Sequence, residues 1–283
     1  PSMTSLFTAQ AALATGARIR VADVSPRNLL LTAESVERAL TPATRAVIAV
    51  HLYGQPCDLP AISSLCEQRG IALIQDACQA HGAFCKGKPL SAYSAYCAYS
   101  FYPTKNLGCL GDGGAIVTAD PETAHRLRQL RDGGRRGDQL CRGPGVNSRL
   151  DEIQACYLRA FLPHLEGWNR HRRELAATYA DALRHLRFLQ LVEWDFDSVH
   201  HLCVARSSRR DAIREFLAEL GIQTAIHYPV AIQDQPGLIP YASWAAEPIH
   251  GAQAAREIFS LPLGPHLSQE QVLTVSQRIA EFA

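Results

Sequence analysis

The chain has no excess of charge of either sign. Its 283 residues carry 28 Lys and Arg against 27 Asp and Glu, a net charge of +1. That gives no electrostatic basis for nucleic acid or an anionic membrane as the main partner. No apolar run reaches the ~20 residues of a membrane-spanning helix. The nine cysteines are singletons with no CxxC pair, which argues against a zinc ribbon or a thioredoxin-like motif. An odd number of scattered cysteines fits reduced, mostly buried thiols in the cytoplasm. There are no repeats, no low-complexity tract and no disordered linker. The chain opens at Pro1 without the basic region and apolar core of a secretory signal. It opens instead in PSMTSLFTAQAALATGA, which reads as the middle of a domain. We therefore expect the natural protein to continue upstream.

What is present is a globular composition, with 47% hydrophobic and 19% charged residues. The length suits one large or two modest domains. From residue 18 to about 165, short apolar runs alternate with helical patterns. RIRVADV (18–24), AVIAVH (46–51), 71–74, 96–101 and 115–118 read as strands. Residues 8–17, 33–40, and a segment after Asp58 that ends near Gly70, read as helices. Asp58 is the expected cap of that last helix. Such alternation predicts a mostly parallel α/β sheet, with ligands beyond the carboxyl ends of its strands. Residues 121–132 and 149–187 read as helical, with a break expected at Gly167. The pattern then becomes that of a smaller α+β unit: strands at 199–206 and 222–227, a helix at 209–220, and a last helix at 269–281 opened by a Ser268–Gln271 capping box. We expect a large domain over 1–165, incomplete at its N-terminus. A small C-terminal domain over 166–283 would include the connecting helix.

Two segments carry chemistry. In SFYPTKNLGCLGDGG (100–114) a strand ends, a proline turn follows, and Lys105 sits in a glycine-rich loop. Schiff-base chemistry needs an amine held in place in a desolvated or cationic setting. In LIQDACQAHGA (73–83), Asp76 ends a buried strand, where a carboxylate wants a cationic partner. Taken singly, each residue has an ordinary reading: Lys105 as a solvated loop residue, Asp76 as a helix cap, His81 as a satisfied core histidine.

Together the two segments resemble the DegT/StrS-type family of sugar aminotransferases, which share the fold type I architecture of pyridoxal phosphate (PLP)-dependent transferases. VHLYGQPCDLPAI (50–62), GVNSRLDEIQA (145–155), HYPVAI (227–232) and SLPLGPHLSQEQ (260–271) extend the likeness over essentially the whole chain. The resemblance implies PLP as cofactor, with Lys105 as the Schiff-base lysine and Asp76 on the pyridine nitrogen. Gln79 is implied to lie against the cofactor ring or its phenolic oxygen, and Ser100 to donate to the phosphate. It also implies a homodimer with shared active sites, in which Asn147 reaches the phosphate of the cofactor bound by the second subunit. His227, Tyr228 and, more weakly, Tyr102 are implied to contact substrate. Arg149 is expected in an ion pair, and Arg135, Arg136 and Arg142 as solvated charges rather than diphosphate ligands.

The sequence departs from the family in places. A GTxAL segment that helps to hold the phosphate normally precedes PSxT. Ser5 stands where an aromatic residue usually stacks on the ring, Gln75 where a Glu is usual, and His200 where a Trp is common. The implied activity is transamination of a nucleotide-linked, dTDP-type keto-deoxysugar at C-3 or C-4, with glutamate or glutamine as donor. Two alternatives stay open: a keto-inositol aminotransferase, and a truncated, non-catalytic relative.

Overall fold

In the computed structural model, which describes residues 1–282, the first half runs α1 (Leu6–Leu13), β1 (Ile19–Val21), α2 (Ala33–Ala39), β2 (Ala46–Val50), α3 (Leu59–Arg69) and β3 (Ala72–Asp76). The short hairpin β4 (Phe84–Cys85) and β5 (Lys88–Pro89) follows, then β6 (Tyr96–Ser100), β7 (Gly114–Val117) and α4 (Pro121–Leu130). The second half begins with α5 (Glu152–Phe161), α6 (Leu165–Leu183), β8 (Gln190–Leu191), β9 (Cys203–Arg206) and α7 (Arg210–Glu219). It closes with β10 (Ala242–Trp244), α8 (Ile249–Glu257), β11 (Ile258–Leu261) and α9 (Gln269–Glu281).

The central sheet has the order β2-β3-β6-β7. Its first three strands are parallel and β7 is antiparallel. This is the mostly parallel α/β sheet that strand–helix alternation predicted. The register sets Val50 beside Asp76 and Asp76 beside Ala98. Along β3 the side chains alternate, so Leu73 and Gln75 are buried while Ile74 and Asp76 are only half-buried. Asp76 is thus the last residue of its strand, and Ser100 the last of β6.

A second, antiparallel sheet has the order β11-β9-β8. One apolar core surrounds the central sheet and α3, and it draws in Val199, Val204, Ala254 and Ile258 from the later half. Another lies between α6, α7, α9 and the second sheet, around Leu175, Tyr179, Ile213, Leu217 and Phe259.

Local chemistry explains most boundaries. Gly70 takes the left-handed conformation (φ +63°) that closes α3. Ser268 and Gln271 form both bonds of the expected capping box on α9. Four expectations need correction. Asp58 precedes α3, but its side chain makes no capping bond. The break between α5 and α6 falls at Pro163, in a short 3₁₀ turn, where the ring removes a backbone donor; Gly167 lies inside α6. Residues 199–202 precede β9 and are not part of it. Residues 222–227 form no strand, only an isolated bridge from Ala225 to Ser260. Ala225 exchanges both backbone bonds with Ser260, while Ile222 packs against the second core and Ile226 against the first.

Candidate active site

The site forms where β3 and β6 end. Thr8 on α1 donates to Asp76 Oδ2 at 2.7 Å, and the Cys78 amide reaches Oδ1 at 3.2 Å. The carboxylate is thereby oriented at the strand end without any cation in a salt bridge to it among the described residues. Thr4 and Thr8, one helical turn apart, are joined by a 3.1 Å hydroxyl contact. Sequence reasoning missed Thr8, which stands in the first turn of α1, while Thr4 precedes the helix.

Gln75, one residue earlier, points to the opposite face of β3. Its Oε1 meets His51 Nε2 at 3.0 Å, and its Nε2 donates to the Leu90 carbonyl at 2.8 Å. His51 Nδ1 accepts from the Cys57 amide, so the proton sits on Nε2. Burial lowers the His51 pKa from 6.5 to about 4 and keeps the ring neutral. A glutamine therefore suits this position better than the family's usual glutamate, since a carboxylate has no hydrogen to give Leu90.

Lys105 lies five residues beyond β6, in a turn where its amide donates to the Tyr102 carbonyl. Gly108 makes that turn possible: a Cβ there would lie 2.6 Å from the Pro103 oxygen. The chain has three lysines, Lys86, Lys88 and Lys105, and among them only Lys105 is withdrawn from solvent. Its amine has no hydrogen-bond or ion-pair partner among the described residues. Burial lowers its pKa below the usual lysine value, while Cys78 and Asp76 act in the opposite direction.

Gln79 is buried. Its Oε1 accepts from the Tyr53 amide at 2.6 Å, and its Nε2 donates to the Tyr228 hydroxyl at 3.1 Å. Tyr53 in turn donates through its hydroxyl to the His227 carbonyl. His227 Nδ1 contacts Ser260 Oγ at 2.9 Å. Asp76, Gln79, Lys105, His227 and Tyr228 are thus drawn together from positions up to 152 residues apart in the sequence.

Ser100 Oγ accepts the Tyr102 amide at 3.2 Å, which leaves its hydroxyl hydrogen free to donate. Tyr102 is 51% exposed. His81 is buried against Tyr99 and Phe101, beside the Ser100 backbone, and burial lowers its pKa to about 4. His200 meets Trp194 edge to face, so a tryptophan six residues upstream lies against the family's usual tryptophan position.

Asn147 is separate from this cluster within one chain. It lies on the exposed loop 132–149, where it bridges to Asp132 and accepts from Arg149 Nε at 3.2 Å. Arg149 pairs with Asp132 at 3.6 Å, as its expected ion pair. Arg135 shares Asp132 at 2.6 Å, and Arg142 pairs with Asp138.

An amine without a partner, a carboxylate oriented at a strand end and a free hydroxyl form the donor set that PLP needs, and the residues present fit it. The chain belongs to the DegT/DnrJ/EryC1/StrS aminotransferase family, whose profile matches residues 1–280. Its class is that of the PLP-dependent aminotransferases of fold type I. It is 43% identical to the dTDP-3-amino-3,4,6-trideoxy-alpha-D-glucose transaminase of Streptomyces venezuelae, covering 100% of this chain and 75% of that protein. The crystal structure of S. venezuelae DesV in complex with a ketimine intermediate matches with a TM-score of 0.96 at 43% identity, over 99% of this chain and 76% of that one. NtdA of Bacillus subtilis, solved with bound cofactor PMP, matches with a TM-score of 0.88 at 27% identity, over 99% of this chain and 67% of that one.

Proposed function

We propose that this chain transfers an amino group to the keto carbon of a dTDP-linked deoxysugar, at C-3 or C-4, with glutamate or glutamine as donor. The single observation that carries the reading is Lys105: a partly buried amine with no partner, close to Asp76 and His227. The named activity of the S. venezuelae relative supports the substrate class.

In this reading the Lys105 amine would hold PLP, and its Nζ would carry the proton that the transfer moves. Asp76 sits against the pyridine nitrogen, oriented by Thr8. Gln79 supports the ring and Ser100 donates to the phosphate. When bound, PLP supplies the electron sink that lets a carbon beside nitrogen give up its proton. His227, Tyr228 and Tyr102 contact the sugar nucleotide. Asn147 serves the site of a second copy in a homodimer, which accounts for its exposure in one chain. The nine free cysteines support a reducing, cytoplasmic setting, and among the described residues no helix is long and apolar enough to cross a membrane. We also propose a domain division near residue 165, supported by the separate core around the second sheet.

The test is an absorbance spectrum of the chain with PLP, before and after borohydride, alongside Lys105→Ala. A chromophore trapped on the unaltered chain and missing from the variant sustains the assignment. Equal trapping on both removes Lys105 from its role. Turnover of scyllo-inosose but of no dTDP-keto-sugar replaces the substrate class with a keto-inositol.

A further inference from the structure

A chain of buried amides begins at the residue after Lys105. Asn106 is 4% exposed and Asn169, on α6, is 2% exposed. Asn106 Nδ2 donates to Asn169 Oδ1 at 2.8 Å and to the Val199 carbonyl at 3.1 Å. Its Oδ1 lies 3.0 Å from His201 Nδ1. Asn169 Nδ2 continues to the His81 carbonyl at 2.8 Å. The carbonyls of Val199 and His81 accept only, so they fix which end of each amide is nitrogen. His201 Nδ1 must then carry the proton and donate. Both hydrogens of the Asn106 amide are used, and its oxygen is occupied. Gly82 passes close to the relay: a Cβ there would lie 3.0 Å from Asn169 Nδ2.

The relay joins the loop that carries Lys105, the turn that follows Asp76, helix α6, and the segment 199–201. Lysine is a long, flexible side chain, so its amine is placed only as well as its backbone is. Both loops of the site are tied to one helix through direct bonds between buried groups. We propose that Asn106 and Asn169 are positioning residues, which hold the Lys105 backbone in register with Asp76 for the transfer chemistry. The proposal rests on the reading of Lys105 given above.

The test uses Asn106→Ala and Asn169→Ala, with Val275→Ala in the second core as a control for general loosening. The first readout needs no cofactor. Acetylation of Lys105 is followed by mass spectrometry against pH, with Lys86 and Lys88 of the same chain as references. Asp76, Cys78, His81, His201 and His227 are the titratable groups facing the amine. In both asparagine variants the Lys105 midpoint rises by about half a pH unit or more. Val275→Ala leaves it in place. The second readout is kinetic: kcat falls about tenfold or more, with KM changed by less than about threefold.

Variants that fold with an unmoved midpoint overturn the proposal. If Asn106→Ala fails to fold, Asn169→Ala decides. If neither folds, the relay is structural and the proposal falls. Loss of the Lys105 assignment is read separately, by trapping that survives in Lys105→Ala.

Discussion

The cradle of Lys105 and the loop of Asn147 are held by opposite means. Around Lys105, the supporting groups are buried amides, a neutral histidine and backbone carbonyls, each with its bonds made inside the protein. Around Asn147, the supports are ion pairs among exposed or half-buried arginines and aspartates at the surface. Buried hydrogen bonds are costly to leave unmade, so they define one geometry. Exposed ion pairs are screened and contribute little, so they leave a loop adaptable. A half-site that must be rigid in one chain is therefore built inside. A half-site proposed to serve a second copy waits on the surface.

The largest break in this contrast is Lys105→Ala, which should abolish both trapped chromophore and transamination while the melting curve stays cooperative. Next is Asp76→Asn, which removes the charge but keeps the shape. Single-turnover rates should fall by about 10²-fold or more while PLP affinity falls less, and an unchanged rate would remove Asp76 from the pyridine nitrogen.

Acid should attack the buried side selectively. His51, His81 and His200 are each depressed by burial from 6.5 to about 4. The unfolded chain takes up these protons first, so stability is complete above pH 6.5 and declines as the pH falls towards 4. His51 alone contributes about 3 kcal/mol to that decline. Thermal melts between pH 7 and 4 check it, and a flat profile would mean that these rings are not buried neutral.

Gln75→Glu is a smaller change. It sets a carboxylate against the Leu90 carbonyl and should cost about 1–3 kcal/mol in denaturant unfolding. The smallest effect belongs to the other region. Arg142→Ala should leave the melting temperature unmoved, and added salt should not distinguish it from the unaltered chain. A large shift there would show that the exposed loop is held more firmly than its ion pairs suggest.

Much of this was legible in the residues because it is local. Strand–helix alternation announces a parallel sheet through the pleat and the 3.6-residue turn. The Ser268 cap and the Gly70 terminus follow from backbone groups within four residues. The segments around Lys105 and Asp76 carry the family resemblance, and it is the resemblance that implies their proposed roles. Gly167 misled because a mid-helix glycine is tolerated, whereas Pro163 cannot donate its backbone bond. The run 222–227 misled because an apolar run does not specify a paired strand.

What the residues alone could not announce is contact between distant segments. Thr8 meets Asp76 across 68 residues, Asn106 meets His201 across 95, and Gln79 meets Tyr228 across 149. Thr8, Asn106 and His201 are ordinary where they stand in the sequence. Their roles arise when the sheet and α6 pack and exclude water. The polar groups left inside must then find one another, because no solvent remains to satisfy them.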